Sequence, residues 1–495
     1  MLRRLSETET AILGGISEVQ DERREPHRIL RPGETCWRLE EADRAAVLVD
    51  AEAYFAALDT ALRQARRSIT ILGWDFDGKI TLRPEPDAPA LGDLLRSLVE
   101  DHPELEVRIL VWSVAVVHAP GAPLPLLIGA PWQDHPRISV RLDSKHPIYA
   151  AHHQKLVAID DSLAFVGGMD LTVRRWDSCR HEADDPRRVT YEGKAYGPVH
   201  DVQAVVDGPA AVALGDLARE RWRIATGEVV PAPVRNPGIW PEGVEPEFLR
   251  EPIGIARTHP AWGPHEPVRE AALLTAEAIR AARRSIYIEA QYLTARYIRD
   301  ILVDHLKRED GPEVVVVLTF CARGFFEKLV MGINGERLIR HLRRHDRHDR
   351  LRVFYPSSPG REETECPIHV HAKVVVVDDL LLRIGSSNLN NRSVGLDTEC
   401  DIAIEGTSPA TRRRIAAIRD RLLGEHLDAE PEAVGRTHAE EGSLIRTIDR
   451  LNANPRRLKL SPAFDSRGAV RSMPGTFLLD PGKPFEPLWF LKKRT

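Results

Sequence analysis

The sequence is poor in cysteine and has no long apolar run. Its five cysteines are scattered over 495 residues, they form no CxxC pair, and their number is odd. This pattern argues against a disulfide framework and against a cysteine-ligated zinc site, and it fits a reducing compartment. No window approaches the roughly eighteen uninterrupted apolar residues of a membrane-spanning helix. We therefore expect a soluble, unsecreted protein of the cytoplasm, with peripheral contact to a membrane left open.

The net charge of the chain is also small. The 69 Lys and Arg residues are nearly balanced by 74 Asp and Glu residues, which gives a formal charge of −5. Nucleic-acid-binding grooves usually carry a basic stripe, so no nucleic-acid partner is expected from this composition. Basic charge is clustered only locally, for example from residue 337 to residue 350.

The sequence does contain an internal repeat. Residues 65–71 (ARRSITI) resemble residues 282–288 (ARRSIYI). Residues 155–171 align without a gap to residues 373–389, with seven identities in seventeen positions. Self-similarity that keeps its register in this way indicates two copies of one structural unit.

Each copy alternates amphipathic helices with apolar strands. Runs such as VVVVLTF and KVVVVD are apolar on both faces, as strands buried within a sheet are. Strands that alternate with helices indicate the α/β class. The sequence therefore predicts two homologous α/β lobes with mixed sheets, related by a pseudo-twofold axis, with the active site at their interface.

Composition and the repeat together predict five regions. They are an N-terminal extension (1–29), a first lobe (30–228), a proline-rich linker (229–267) with a short strand at 253–257, a second lobe (268–425), and a C-terminal extension (426–495) packed on the second lobe.

Each copy carries the motif His-x-Lys, followed after four residues by Asp. The motif residues are His153, Lys155 and Asp160 in the first copy and His371, Lys373 and Asp378 in the second. Side chains two positions apart in a strand share a face, so each histidine should lie beside its lysine. This pairing suits a phosphate better than a metal ion, because the ammonium neutralises an oxygen while the imidazole acts on phosphorus or on the leaving oxygen. We expect no metal and no cofactor at this site.

Two histidines match the two roles that displacement at a phosphodiester requires. One attacks phosphorus, and the other protonates the leaving alcohol and then deprotonates the acceptor. Ser386 and Asn388 are placed to donate hydrogen bonds to phosphate oxygens. Glu399 is predicted to hold the imidazole of a catalytic histidine through its other nitrogen. For the second orienting carboxylate we favour Asp177, with Asp201 as the alternative.

Some of these acidic residues also have a structural interpretation. Asp160 and Asp378 each begin an Asp-Asp turn after a buried strand, where aspartate commonly binds the backbone, and we favour that interpretation over catalysis. For Asp170 and Asp177, a functional role and a structural salt bridge are equally consistent with the sequence.

The motifs resemble those of the phospholipase D superfamily, and of phospholipases D proper in particular. The matching segments include 151–155 (AHHQK), 165–171 (FVGGMDL), 175–177 (RWD), 286–292 (IYIEAQY), 371–378 (HAKVVVVD), 385–389 (GSSNL) and 397–399 (DTE). The resemblance covers roughly residues 30 to 425, so both predicted lobes are phospholipase D-like.

The resemblance implies roles for individual residues. His153 is implied as the nucleophile that forms a phosphohistidine, and His371 as the general acid and base. The residues implied to hold the phosphoryl oxygens or the substrate are Lys155, Lys373, Asn388, Ser386, Asp170, Arg175 and Gln291. The implied reaction is hydrolysis of a glycerophospholipid to phosphatidic acid and head-group alcohol, or transphosphatidylation when an alcohol is the acceptor.

Three other functions were weighed against this one. A transferase resembling cardiolipin or phosphatidylserine synthase stays open, because hydrolysis and transfer share one covalent intermediate. A nuclease of the superfamily is disfavoured by the negative charge. A non-catalytic membrane scaffold is disfavoured by the intact His and Lys residues of both copies.

Two segments could make transient contact with a membrane surface. Residues 119–132 are apolar and rich in Pro and Gly, and residues 324–333 precede the basic stretch 337–350. An apolar loop beside a basic helix can bind an anionic bilayer. We favour the alternative that both are ordinary lid or core segments, because amphipathic helices usually cover a core.

Overall fold

A computed structural model describes residues 28–113, 129–147, 149–320, 331–361, 364–472 and 480–484. Most of the predicted N-terminal extension, most of the apolar segment 119–132 and residues 324–330 lie outside the described residues. None of the described helices combines the length and the apolar character that crossing a bilayer requires.

The first half of the chain begins with a long strand, and helices then alternate with strands. Its elements are β1 (Arg38–Val49), α1 (Asp50–Gln64), β2 (Ser68–Gly73), α2 (Leu91–Asp101), β3 (Glu106–Trp112), β4 (Ile138–Asp143), β5 (Leu156–Ile159), β6 (Leu163–Gly167), β7 (Val199–His200), β8 (Val202–Asp207) and α3 (Gly208–Thr226).

The second half repeats this order and is followed by a C-terminal extension. The elements of the second half are β9 (Phe248–His259), β10 (Val268–Arg269), α4 (Glu270–Ala281), β11 (Ser285–Ala290), α5 (Arg296–Lys307), β12 (Glu313–Leu318), α6 (Ile333–His345), β13 (Leu351–Pro359), β14 (Glu365–Pro367), β15 (His369–Val370), β16 (Lys373–Val377), β17 (Leu381–Gly385), α7 (Arg392–Gly395), β18 (Glu399–Glu405) and α8 (Pro409–Leu427). The extension contains α9 (Pro431–Glu441), α10 (Leu444–Leu451), β19 (Arg457–Leu460) and α11 (Pro462–Asp465).

The strands pair in an order that repeats outward from the antiparallel pair β1–β9. On one side β1 is followed by β8, β6, β5, β2, β3 and β4. On the other side β9 is followed by β18, β17, β16, β11, β12 and β13. The outer three strands of each side are parallel and the others are antiparallel. The predicted mixed α/β class is confirmed, whereas a twofold axis between the halves stays a prediction.

The apolar strands are buried on both faces because each face meets a different core. In β12, Val314 and Val316 pack in a core built mainly from the second half, with residues of α4 and α5. Val315 and Val317 point the other way, into a central core that also contains Leu72 and Leu110 of the first half. The two halves therefore share one apolar core, which fixes their relative position.

The predicted linker contains more sheet than expected. The short strand predicted at 253–257 lies within the twelve-residue β9, which pairs with both β1 and β18. In the strand order β9 occupies the place in the second half that β1 occupies in the first. The strand of the second half that corresponds to β1 therefore lies within the predicted linker, at Phe248–His259.

The C-terminal extension lies against the second half. β19 pairs antiparallel with β13, and the Ser443 hydroxyl donates 2.5 Å to Glu313 at the start of β12. Guanidinium groups of α6 donate to backbone carbonyls of residues 468–471; they belong to Arg337, Arg340 and Arg344. The basic helix that was a candidate for membrane contact thus binds the C-terminal chain.

The aspartate of each motif binds the backbone of the ARRSI segment in its own repeat. The Asp160 carboxylate accepts hydrogen bonds from the backbone N–H groups of Arg66, Arg67 and Ser68, at 2.8, 2.8 and 2.7 Å. Asp378 accepts the equivalent bonds from residues 283–285, at 3.0, 2.8 and 2.8 Å. The expectation that these aspartates bind the backbone is confirmed, and their partners are the ARRSI segments that first revealed the repeat.

Replacement of either aspartate by alanine should destabilise the fold. Asp160→Ala or Asp378→Ala leaves three backbone donors without a charged acceptor, so we expect a loss of about 2–4 kcal/mol in the free energy of unfolding. Urea-induced unfolding measures this loss. Asp379→Ala is the matched control, because its partly exposed ion pairs with Arg284 and Arg419 should contribute less than about 1 kcal/mol. Equal losses for Asp378→Ala and Asp379→Ala would contradict the assignment.

Candidate active site

The histidine of the first motif is held by the second half of the chain. His153 lies just before β5, and its Nδ1 lies 2.9 Å from Oε2 of Glu399, the first residue of β18. The backbone also crosses between the halves, since the N–H of His153 donates 3.0 Å to the carbonyl of Thr398. The N–H of Ala151 donates 2.7 Å to the Asp397 carboxylate.

The histidine of the second motif makes the reciprocal contact. Nδ1 of His371 lies 2.7 Å from Oδ2 of Asp201, which immediately precedes β8. The N–H of His371 donates 2.8 Å to the carbonyl of His200, and β15 pairs parallel with β7. Each half thus supplies the carboxylate that orients the imidazole of the other half. Because a carboxylate accepts from Nδ1–H, the Nε2 of each ring is left for a reacting group.

Both motif lysines are buried beside their histidines. The Lys155 ammonium donates 3.1 Å to the His153 carbonyl and lies 3.2 Å from Oδ2 of Asp170. The Lys373 ammonium donates to the carbonyl of its own histidine and, at 3.4 Å, to Oε1 of Gln291. Each ammonium is therefore fixed on the same side as its imidazole, as the spacing of two residues predicted.

The charges of the motif residues act on one another. Burial lowers the pKa of His153 well below its ordinary value, and the ammonium groups of Lys155 and Lys373 lower it further. Burial also lowers the pKa of His371, as do Lys373, Arg175 and Lys155. Each imidazole responds to both ammonium groups, so the two motifs form one electrostatic site. Burial lowers the pKa of Lys373 itself to about 7. All these shifts disfavour cations, and a bound anion would oppose them.

Comparison with known proteins supports the motif assignment. A family model described as "Cardiolipin synthase, PLD-like domain" matches residues 275–420. Phospholipase D A of Dictyostelium discoideum is 24% identical over an alignment of 480 positions, which covers 78% of this chain and 35% of that protein. These similarities support the phospholipase D superfamily, and phospholipases D in particular, as the family that the chain most resembles. Phospholipase D alpha 1 of Vigna unguiculata is 23% identical over an alignment of 567 positions, which covers 85% of this chain and 68% of that protein.

The similarity extends to a solved structure. The phosphatidylserine synthase of Haemophilus influenzae Rd KW20 aligns with a TM-score of 0.53 at 13% identity, covering 89% of this chain and 94% of that chain. At this identity the likeness concerns the fold. The chain spans about a third or less of the length of several curated relatives that it matches, 35% for phospholipase D A and 22% for phospholipase D zeta 1 of Arabidopsis thaliana.

The prediction that Asp177 orients a catalytic histidine is wrong. Its Oδ2 lies 2.8 Å from Nδ1 of His181 and accepts from the N–H of Val199, and its Oδ1 accepts from Arg188. The alternative, Asp201, makes the contact instead. Asp201 and Glu399 each stand at the start of equivalent strands, β8 and β18. Aligning residues 201–207 (DVQAVVD) with residues 399–405 (ECDIAIE) shows that the two strands are equivalent. The long segment between β6 and β7 makes this equivalence difficult to recognise from the sequence.

The contacts of Ser386 also differ from the prediction. Its hydroxyl donates 2.5 Å to Oε2 of Glu399 and accepts from the N–H of Cys400, so it holds the orienting carboxylate rather than facing a phosphate. Ser393, to which the sequence gave no role, donates 2.6 Å to Oε1 of the same carboxylate. Both Glu399 oxygens are therefore fixed by hydroxyl groups of the turn and helix that follow β17.

The remaining predicted substrate-binding residues line the same region. Oδ1 of Asn388 is buried without a hydrogen-bond partner among the described residues, so its carboxamide is available to a ligand. Arg175 lies close enough to affect the pKa values of His371 and Lys373. Asp170, in addition to pairing with Lys155, accepts 2.8 Å from the N–H of Trp74. Direct contact of these residues with substrate stays a prediction.

Replacement of either orienting carboxyl group should reduce catalysis without unfolding the protein. Glu399→Gln and Asp201→Asn keep the side-chain shape but no longer stabilise an imidazolium, so kcat for a phosphodiester should fall by about 10²–10⁴-fold. Glu405→Gln is the matched control, a buried carboxylate on the same strand as Glu399 that accepts from the backbone of residues 29 and 30. Its kcat should stay near that of the wild type. Full activity in either of the first two variants would disprove that its histidine acts in catalysis.

Proposed function

We propose that the protein is an enzyme that cleaves the distal phosphodiester of glycerophospholipids to phosphatidic acid and a head-group alcohol. The observation that carries this proposal is the reciprocal pair of contacts, His153 with Glu399 and His371 with Asp201, beside two buried ammonium groups. The names of the curated relatives support a phospholipid as the substrate class. The Lys155 and Lys373 ammonium groups of the site can neutralise the oxygens of an anionic phosphate ester.

In the first step Nε2 of His153 attacks phosphorus. The bond between phosphorus and the head-group oxygen breaks, and Nε2–H of His371 gives its proton to that oxygen. The Lys155 and Lys373 ammonium groups neutralise the non-bridging oxygens. Bound phosphate opposes the positive charges that lower the pKa of His371, so the substrate itself favours the protonated acid.

In the second step the phosphohistidine is resolved. The neutral His371 accepts a proton from water, the water oxygen bonds to phosphorus, and the bond from phosphorus to Nε2 of His153 breaks. The product is phosphatidic acid, and both imidazoles return to their starting states. An alcohol in place of water gives transphosphatidylation with the same atom balance.

A phosphatidyltransferase is the second candidate function. The matching family model is described by cardiolipin synthase, and the second step accepts any hydroxyl group that reaches phosphorus. The difference between hydrolysis and transfer therefore lies in which acceptor the site admits.

We further propose a cytoplasmic location with transient contact to a membrane surface, and no nucleic-acid partner. The substrate class requires access to lipid, and the net charge of −5 offers no general attraction to nucleic acid. Because three arginines of α6 bind the C-terminal chain, this contact would use another part of the surface.

The two histidine roles can be separated with a phosphatidyl ester of p-nitrophenol. This leaving group departs without a proton, so His371→Ala should still release a burst of about one p-nitrophenolate per active site and then stall as the phosphoenzyme. His153→Ala should give no burst. Stopped-flow absorbance measures the burst, and an acid-labile label from radioactive substrate measures the phosphoenzyme. The reverse pattern would exchange the two roles. His305→Gln, a buried histidine of α5, serves as the control and should turn over normally.

The substrate and acceptor can be determined from the products. Vesicles of phosphatidylcholine and phosphatidylglycerol, incubated with the protein and ethanol without added metal ion, should yield choline, phosphatidic acid and phosphatidylethanol by mass spectrometry. Cardiolipin as the main product would instead assign the transferase. Nicking of single-stranded DNA in a parallel reaction, with no lipid turnover, would overturn both proposals.

A further inference from the structure

A buried cluster of histidines and carboxylates lies behind the Asp201–His371 contact. One ligand atom from each of Asp50, His181, His200 and Glu425 lies within 4.8 Å of each of the others. Asp50 begins α1, His181 lies between β6 and β7, His200 ends β7, and Glu425 lies near the end of α8. The first three side chains are 0% exposed and that of Glu425 is 7% exposed. Sequence analysis assigned no role to any of the four.

Several distances within this cluster approach those of a tetrahedral site. Nδ1 of His200 lies 3.1 Å from Oδ1 of Asp50 and 2.7 Å from Oε1 of Glu425. Nε2 of His181 lies 3.3 Å from Oδ2 of Asp50 and 3.1 Å from the same Glu425 oxygen. Around a tetrahedral zinc ion with bonds of about 2.0–2.1 Å, neighbouring ligand atoms are about 3.3 Å apart.

The outer nitrogen of each histidine already has a carboxylate partner. Nδ1 of His181 lies 2.8 Å from Oδ2 of Asp177, and Nε2 of His200 lies 2.9 Å from Oε2 of Glu289. When a metal ion is bound, these carboxylates would hold the ring protons on the outside and leave the inner nitrogens as ligands. Histidine ligands of metal ions are typically oriented in this way. Without an ion, the inner nitrogens lie at hydrogen-bonding distance from Glu425, 3.1 Å for Nε2 of His181 and 2.7 Å for Nδ1 of His200.

No lysine or arginine of the described ranges supplies positive charge at the centre of the cluster. Oδ2 of Asp50 and Nδ1 of His200 are buried without an aligned hydrogen-bond partner among the described residues. Arg188 pairs with Asp177, but no Lys or Arg of the described ranges forms an ion pair with Asp50 or Glu425. Buried carboxylates that face imidazole lone pairs are unfavourable unless a cation lies between them.

We propose that Asp50, His181, His200 and Glu425 bind a structural zinc ion. Two imidazoles and two carboxylates fill the tetrahedral positions, and the two nitrogens favour zinc over calcium or magnesium, which prefer oxygen ligands. The ion would take no part in the phosphoryl chemistry. It would fix α1 and β7 of the first half to α8 of the second, directly beside Asp201. This site is separate from the paired motifs and does not depend on the proposed activity.

Metal analysis of the purified full chain tests this site directly. Protein from zinc-supplemented cells should contain about one zinc per chain by plasma mass spectrometry, as four-ligand structural sites do. His181→Gln and Glu425→Gln should each lower the zinc content by at least about tenfold. His305→Gln should leave it unchanged, because that buried histidine donates to the Ile279 carbonyl outside the cluster.

A measurement on the wild type alone keeps the proposal testable if these variants fail to fold. Prolonged dialysis against dipicolinate should lower Tm, and zinc chloride should restore it, because an ion that binds only the folded state stabilises that state. Cobalt added to the stripped protein should give the visible absorption of tetrahedral coordination. Wild-type protein that carries no zinc, and whose Tm does not respond to zinc after dialysis, would overturn the proposal and identify the cluster as a network of shared protons.

Discussion

The structure depends on an exchange of carboxylates between its two halves. Glu399 holds His153, and Asp201 holds His371, so neither imidazole is oriented by its own repeat. Parallel backbone contacts accompany both exchanges, through Thr398 on one side and β7 on the other. The shared central core gives these contacts a rigid base, because the halves cannot shift without exposing its apolar side chains.

Much of the fold could be predicted from sequence because its signals are local. The repeat, the doubly apolar strands and the His-x-Lys spacing are each readable within a few residues, and the structure agrees with them. The choice of orienting carboxylate was not local. Asp177 and Asp201 are both acidic residues after the first motif, and only the pairing of β7 with β15 decides between them. Ser386 was misassigned for a similar reason, since its partner Glu399 lies on the next strand.

Buried charge serves different purposes in different parts of this protein. The Asp160 and Asp378 carboxylates accept hydrogen bonds from backbone N–H groups. In each repeat they thereby link the motif to the distant ARRSI segment. The cluster around His181 and His200 instead collects side chains from segments far apart in the chain, so no spacing in the sequence could reveal it. The sequence also did not identify β9 as the counterpart of β1. This equivalence becomes visible only in the structure, where the two strands pair at the centre of the sheet.

Because each histidine contacts a carboxylate of the other half, the order of protein synthesis affects when these contacts can form. The ribosome releases the amino-terminal half first, and His153 then exists for some time without the residue that aligns it. A nascent or prematurely terminated chain that stops short of β18 carries the entire first motif but lacks the carboxylate that contacts His153. The carboxylate contact of His153 thus forms late, once translation has passed Glu399, and a fragment of the first half alone would lack it.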